Sequence, residues 1–289
     1  MATAGDRVGA PRRGSLRNVR LSHVIAALEE LYPPAWAESW DAVGLVCGDP
    51  DQDVERVLFA VDPVAAVLDE ALERRADLVI THHPLLLRGV HSVAATDPKG
   101  RMIHRMIRAG VALYTAHTNA DVADPGVSDA LARAVGLTGE LRPMVPAADD
   151  PRRGLGRIGD LAEPVALREF TARAAAGLPS TAWGVRAAGD PDRPVRTVAV
   201  CGGAGDSLLG TARAADVDVY LTADLRHHPA SEFAEHGGPA LIDAAHWATE
   251  WPWLADAERR LTGATGGALQ TRVSTLVTDA WRLHDEGAK

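Results

Sequence analysis

The 289-residue sequence predicts an α/β protein built from two similar halves. Short apolar runs of strand length alternate with helix-length amphipathic runs along most of the chain. A stretch without periodicity, residues 141–153, rich in Pro, Ala and Asp, interrupts that alternation near the middle. The same polar groups follow apolar runs on either side of it. His82-His83-Pro84 returns as His227-His228-Pro229, and Ala116-His117 returns as Ala245-His246. Their separations differ, so the repeat is weak, but its order places one shared site between the halves.

Residues 1–21 carry arginine and glycine without a continuous apolar core, which predicts a mobile N-terminal tail and neither a secretory signal nor a membrane span. Ser22 is placed to cap a helix whose apolar positions are Val24, Ile25, Leu28 and Leu31. After the Pro33-Pro34 break, the first half (22–140) offers strands at 42–47, 56–61, 77–81 and 111–116, and helices at 65–75, 101–109 and 127–135. With 141–153 read as a linker, the second half (154–289) offers strands at 156–161, 182–186, 195–201, 217–222, 241–244 and 273–277. Helices are expected at 166–176, after Gly205 and from His246. Strands alternating with helices at this spacing imply mixed or parallel sheets covered by helices.

Composition narrows the function classes. The chain is 46% hydrophobic and 24% charged, with net charge -9 and pI about 5.6, so it lacks the basic footprint of a nucleic-acid binder. Two cysteines, Cys47 and Cys201, form neither a disulfide framework nor a zinc ribbon, and a reducing, cytoplasmic setting is expected.

The chemistry-bearing residues stand at strand ends. Adjacent His82 and His83 diverge from the end of a strand and suit two metals side by side better than one tetrahedral ion, where a lone pair of histidines would read as a polar loop. His246 and Glu250, four apart, share a face if a helix begins there. His117 and Asp121 have the same spacing, although Asn119 between them indicates a tight turn. In that turn Asp121 would coordinate, and His117 would support it or bind substrate. The metal-ligating set is therefore His82, His83, His117, Asp121, His246 and Glu250, holding two divalent ions with Glu250 as the bridging carboxylate. Mixed imidazole and carboxylate donors accept zinc, iron, manganese or nickel. A second tier comprises Glu38, Asp41, Arg88, Asp224, His227 and His228, with Arg88 meeting an anionic substrate and His228 moving protons. The glycine-rich segment 201–207 lacks the lysine of a phosphate-binding loop and reads as a tight turn.

Several of these motifs occur together and in order: Trp40-Asp41-Ala42-Val43-Gly44-Leu45, Ile80-Thr81-His82-His83-Pro84-Leu85, His117-Thr118-Asn119-Ala120-Asp121 and His246 followed by Glu250. With Gly154-Leu155-Gly156-Arg157-Ile158-Gly159 and the segment 200–205, they make the chain resemble, from about Ser22 to Arg282, the Nif-three-like dinuclear-metal-centre family, also catalogued as GTP cyclohydrolase I type-two homologues. The resemblance implies a Nif-three-like fold, with two α/β subdomains around a dinuclear site, and a homohexameric ring with its sites facing an internal cavity. It carries over His82, His83, Asp121, His246 and Glu250 as ligands, with His117 beside them. Ala42 stands where the family commonly has Asn, and Ala223 where it has Gly; neither removes a ligand. The interval between Asp121 and Gly154 has no room for the domain some relatives insert.

The expected activity is that of a metal-dependent hydrolase of GTP cyclohydrolase type, with hydroxide attacking the guanine ring and formate released. In it Glu250 and His228 are catalytic, and Arg88, Asp224 and His227 bind a nucleotide-like small molecule. A two-metal phosphoesterase and a non-catalytic, metal-binding ring that engages other proteins are the competing expectations.

Overall fold

The first helix begins earlier than its sequence suggests. The structure, a computed structural model, describes residues 19–285, so most of the predicted tail lies outside the described residues. Val19 and Arg20 already pair with Val54 and Asp53, and the helix Leu21–Leu31 follows at once. Ser22 does not cap it. The amides of Leu21 and Ser22 bond instead to the carbonyls of Gln52 and Pro50, each at 2.9 Å, so a tertiary contact satisfies groups that a capping hydroxyl would otherwise serve.

Two five-stranded sheets form the frame. One runs Gln270–Val273, Arg56–Ala60, Leu78–Thr81, Ala112–Thr115, Gly44–Cys47, with every neighbour parallel except the last. The other runs Arg157–Ala166, Pro194–Ala204, Val219–Ala223, Ala240–Ala244, Val185–Ala188, antiparallel at both edges and parallel between. In each, an edge strand, Gly44–Cys47 or Val185–Ala188, precedes three parallel strands in the chain and pairs with the last of them; the second sheet adds Arg157–Ala166, earlier in the chain, beside the first of its three. The repeat glimpsed in the histidine motifs is thus a repeat of topology.

Alternation of side chains sends each sheet's apolar residues to two cores. Val57 and Phe59 face a central core, shared by both sheets and by the helices Leu21–Leu31, Val127–Ala134, Leu167–Gly177 and His246–Ala264. Leu58 and Ala60 face an outer core under Ala65–Glu73 and Pro98–Ala109, and Ala199 and Tyr220 face another under Leu209–Ala214 and His227–Glu235. No helix among the described residues is long and apolar enough to cross a membrane.

The division expected at residues 141–153 is less clean than the sequence suggests. Val145–Pro146 pairs with Gly154–Leu155, Arg142 bridges Ile158, and Arg153 packs over the Trp36 ring at 4.0 Å, so the presumed linker is folded against both sides. The last strand, expected at 273–277 in the second half, is Gln270–Val273 and lies in the first sheet beside Arg56–Ala60. Apolar periodicity assigns a strand but not its sheet, which the preceding 19-residue helix decides by carrying the chain back across the molecule.

A buried ion pair ties the two sides together. Arg157, 1% exposed on a second-sheet strand, meets Asp129 at 2.8 Å and donates to the carbonyls of Ala123, Gly154 and Gly156. Asp129 also accepts the Gly126 amide at the start of its own helix. Arg157→Met would leave the Asp129 carboxylate without its cation, and a loss of about 3–5 kcal/mol is expected in urea denaturation; an unchanged midpoint would show that the pair contributes nothing.

Candidate metal centre

The ends of parallel strands deliver the cluster. His82 and His83 continue directly from Leu78–Thr81, and their amides still bond to Ala60 and Val61 carbonyls at 3.2 and 2.9 Å, which fixes their diverging directions. His117 stands just beyond Ala112–Thr115, and His246 just beyond Ala240–Ala244, where it opens the helix that places Glu250 one turn later. All lie at carboxyl ends of strands, where open α/β sheets gather their ligands. Asn119 does make a turn: its Oδ1 accepts the His117 amide at 2.9 Å and its Nδ2 donates to the Tyr32 carbonyl at 2.7 Å, starting the short helix Thr118–Val122 that carries Asp121.

Glu250 is the hub. Its Oε1 lies 3.0 Å from His246 Nε2 and 3.4 Å from His82 Nε2, and its Oε2 lies 3.0 Å from His83 Nε2. His82 Nε2 is also 3.7 Å from Asp121 Oδ1, and the Nε2 atoms of His83 and His246 face each other at 3.2 Å. Two overlapping groups have donor atoms within 4.8 Å of one another: His82, His83 and His117, then His83, His246 and Glu250. The structure therefore brings together all six residues expected as ligands.

Every imidazole is oriented from behind. His82 Nδ1 bonds to the Ala116 carbonyl at 2.9 Å, His83 Nδ1 to Asp62 at 2.7 Å, His117 Nδ1 to Asp41 at 2.9 Å and His246 Nδ1 to Asp224 at 2.7 Å. Each partner is an acceptor, so Nδ1 carries the proton and Nε2 turns its lone pair inward when the ring is neutral. Asp41 is held in turn by the Thr118 and Ala42 amides. The inward His82 Nε2 and Glu250 Oε2 are buried and satisfy the geometry of no hydrogen bond. Buried polar atoms left bare on a converging set of imidazole and carboxylate donors fit a divalent transition metal.

The electrostatics agree. Burial penalises the Glu250 carboxylate, but the surrounding His246, His83 and His82 hold its pKa well below the usual range. Glu250, against the opposing effect of burial and with help from Asp224, raises His246 to about 11. Burial opposes charge on His83 too, yet Glu250 and Asp62 raise it to about 10, and His82 is raised by Glu250 and Asp121. His117 goes the other way, to about 4, because burial and the neighbouring His82 suppress its charge. Burial lifts Asp121 to about 6. Free of ions, the cluster thus holds protons where a cation would sit.

Two cavities reach these residues. One, of about 410 Å³, is lined by Trp40, His117, Asp121, Gly203, His246 and Glu250. The other, of about 450 Å³, meets His83 and His246 from the far side. The 201–207 segment is the close approach of backbone to the cluster. Gly203 has φ +69°, and a Cβ there would fall 2.5 Å from Glu250 Oε1, so only glycine leaves the carboxylate its place. Asp224, expected on substrate, orients His246. Arg88, His227 and His228 line neither cavity; His227 and His228 stand on the helix His227–Glu235. Asp62, which orients His83, is not singled out by the sequence because an acid at a strand end before proline reads as a turn, although it follows Arg56–Ala60 as the candidate ligands follow their strands.

A family model described as Duf34/NIF3 (NGG1p interacting factor 3) matches residues 19–280. A Streptomyces coelicolor protein named GTP cyclohydrolase 1 type 2 homolog is 58% identical over 270 residues, covering 92% of this chain and 94% of that protein. A Clostridium perfringens protein of the same name is 31% identical over 269 residues, covering 92% of this chain and 100% of its own length. Among solved structures, the Bacillus cereus protein related to NIF3 superposes with a TM-score of 0.84 at 23% identity, covering 92% of this chain and 99% of that one. A Staphylococcus aureus hypothetical protein gives 0.83 at 26% identity, covering 91% and 98%.

Two outcomes are expected from metal titration. At pH 7 the rings of His83 and His246 are protonated in the ion-free protein, since their pKa values of about 10 and about 11 lie above it. Uptake of an ion must expel those protons, so apparent affinity rises with pH, by roughly tenfold per unit for each proton displaced. Competition titrations between pH 6 and 9 read this slope, and a flat profile would contradict it. Gly203→Ala is expected to lower metal affinity on the order of tenfold or more by displacing Glu250, with retention of the far-ultraviolet circular dichroism showing that the fold survives.

Proposed function

The chain belongs to the DUF34/NIF3 family, and from that premise we propose that it is a hydrolase working with a pair of divalent ions on a purine nucleotide or a close relative of one. One observation carries the first part of the proposal: four imidazoles, each fixed through Nδ1, turn Nε2 inward around a buried carboxylate. A purely structural ion needs one closed tetrahedral shell, whereas two overlapping triads sharing His83 suit a pair of ions with positions left open. His82, His83, His117, Asp121, His246 and Glu250 would hold them, with Glu250 between. Bound there, such ions supply Lewis acidity and lower the pKa of water toward neutrality.

The chain's own residues define the rest. Asp41, Asp62, Asp224 and the Ala116 carbonyl keep the rings in register, which is the part of a two-metal site that the protein must supply. The flat backbone at Gly203 keeps the approach to Glu250 open. Trp40, 58% exposed and edge-on to His117 at 6.0 Å, supplies an apolar wall at the mouth. His117, kept neutral and facing the same cavity, has its Nε2 free for an ion, while His228 stands outside both cavities. Among the described residues no lysine or arginine lines either cavity, so Arg88 is not placed to meet a phosphate. Negative charge on a substrate would be met by the ions, whose charge exceeds that of Glu250 and Asp121.

The name of the relatives supports purine ring opening as the reaction, and assembly as a hexameric ring belongs to the same proposal. Metal-reconstituted protein is expected to release formate from GTP, and Glu250→Ala and chelated protein to release none. A fully metallated sample that yields no formate would end the ring-opening reading and leave phosphoester cleavage to be assayed on the same preparation. Light scattering tests the ring, and a monomeric mass would remove it.

A further inference from the structure

The cavity on the far side of His83 and His246 has an unusual lining. Trp183, Trp247 and Trp281 contribute to its walls, it includes the acids Asp62, Asp224 and Asp279, and among the described residues no lysine or arginine lines it. The indoles of Trp183 and Trp281 lie 6.0 Å apart, tilted by 35°, as a continuous aromatic wall, and Arg186 covers another part of Trp183 at 4.4 Å. Two of the acids are already engaged. Asp62 takes His83 Nδ1 and the Thr278 hydroxyl, and Asp224 takes His246 Nδ1.

Asp279 is different. It is 8% exposed and, among the described residues, its Oδ1 receives only the Trp281 amide at a long 3.4 Å and its Oδ2 is buried without a hydrogen-bond partner. A carboxylate oxygen removed from water with no donor is costly, and the protein elsewhere pairs its buried acids with care, as Asp129 and Asp243 show. The cavity that Asp279 lines is where such a donor can enter. A carboxylate with one weakly used and one unused oxygen matches a planar group with two parallel N–H donors, and tryptophan walls match the flat faces of such a group.

We propose that Asp279, walled by Trp183 and Trp281, grips the N–C–N edge of a planar ligand, the edge that amidines, guanidines and 2-aminopurinones share, and presents the rest of that ligand to His83 and His246. This deepens the hydrolase reading by naming the substrate edge that the protein recognises, and it is tested by binding, so its failure and the failure of that reading are separable. It also makes His246, which lines both cavities, the residue that joins the recognition cavity to the one entered past Trp40.

Calorimetric titration of the full chain, ion-loaded and chelated, with four probes decides the matter. Guanosine and inosine differ only in the 2-amino donor, and benzamidine and benzamide differ in charge and in the second donor nitrogen. Guanosine is expected to bind saturably and inosine roughly tenfold or more weakly, with Asp279→Asn erasing the difference. Benzamidine binding that exceeds benzamide and depends on Asp279, without guanosine binding, would support the same site with a cationic ligand as its source. Equal binding within both pairs, no binding by any probe, or discrimination that persists in Asp279→Asn would overturn the proposal. If Asp279→Asn does not fold, Trp281→Ala, on a ring 62% exposed, must weaken guanosine or benzamidine by roughly tenfold, and unchanged affinity would overturn it equally.

Discussion

A carboxylate buried at the seam of two sheets governs this structure. Glu250 is 3% exposed, and a charge so placed is tolerable only with cations around it. The first sheet supplies two through His82 and His83 and the second supplies His246, so the site exists only where both sheets present their strand ends to one point. The helix that begins at His246 meets this need twice over. It sets Glu250 one turn beyond the imidazole, and it then carries the chain back to the first sheet as Gln270–Val273. Ligand geometry and the closure of the fold thus follow from one element, with the Arg157–Asp129 pair fastening the same seam from within the core.

The ring of acceptors behind the histidines is the second consequence. An imidazole placed against a carboxylate with both nitrogens free to exchange roles would have no fixed inward lone pair. Asp41, Asp62 and Asp224 remove that freedom. Their own positions are determined by backbone: Asp224 sits at φ 56° just past Val219–Ala223, a strained conformation for a residue other than glycine, and Asp41 is clamped by the amides of Ala42 and Thr118. Strain and clamping of this kind cluster where orientation matters more than local stability.

The sequence made the strand ends legible because buried parallel strands read as short apolar runs, and a polar residue directly after such a run has few structural reasons to be there. His82, His83, His117 and His246 were visible on that ground, and Asp121 and Glu250 through their helical spacing. What stayed hidden has physical causes. Asp62 and Asp279 stand in loops where acids are commonplace, and only three-dimensional contact separates an acid that orients a ring from one that caps a turn. Arg157 reads as an ordinary strand residue until Asp129 from another element closes on it. The start of the first helix and the sheet of the last strand were misread for the same reason: backbone partners many residues away decide both.

The repeat explains why the cluster is lopsided. In the first sheet the middle parallel strand ends in His82 and His83, and in the second the equivalent strand, Val219–Ala223, ends in Asp224. The sequence invites a match between His82-His83-Pro84 and His227-His228-Pro229, but the second pair comes three residues later, inside the helix His227–Glu235, and is carried away from the seam. The next strands, Ala112–Thr115 and Ala240–Ala244, keep the correspondence, each followed after one alanine by His117 or His246. One half therefore gives three imidazoles and the other gives one imidazole, its carboxylate support and Glu250. Had both halves presented His-His at the middle strand, the seam would gather more imidazoles without another anion to balance them. The displaced histidines and the substituted aspartate leave a donor set with Glu250 near its centre and Asp121 at its margin, a charge balance suited to divalent ions.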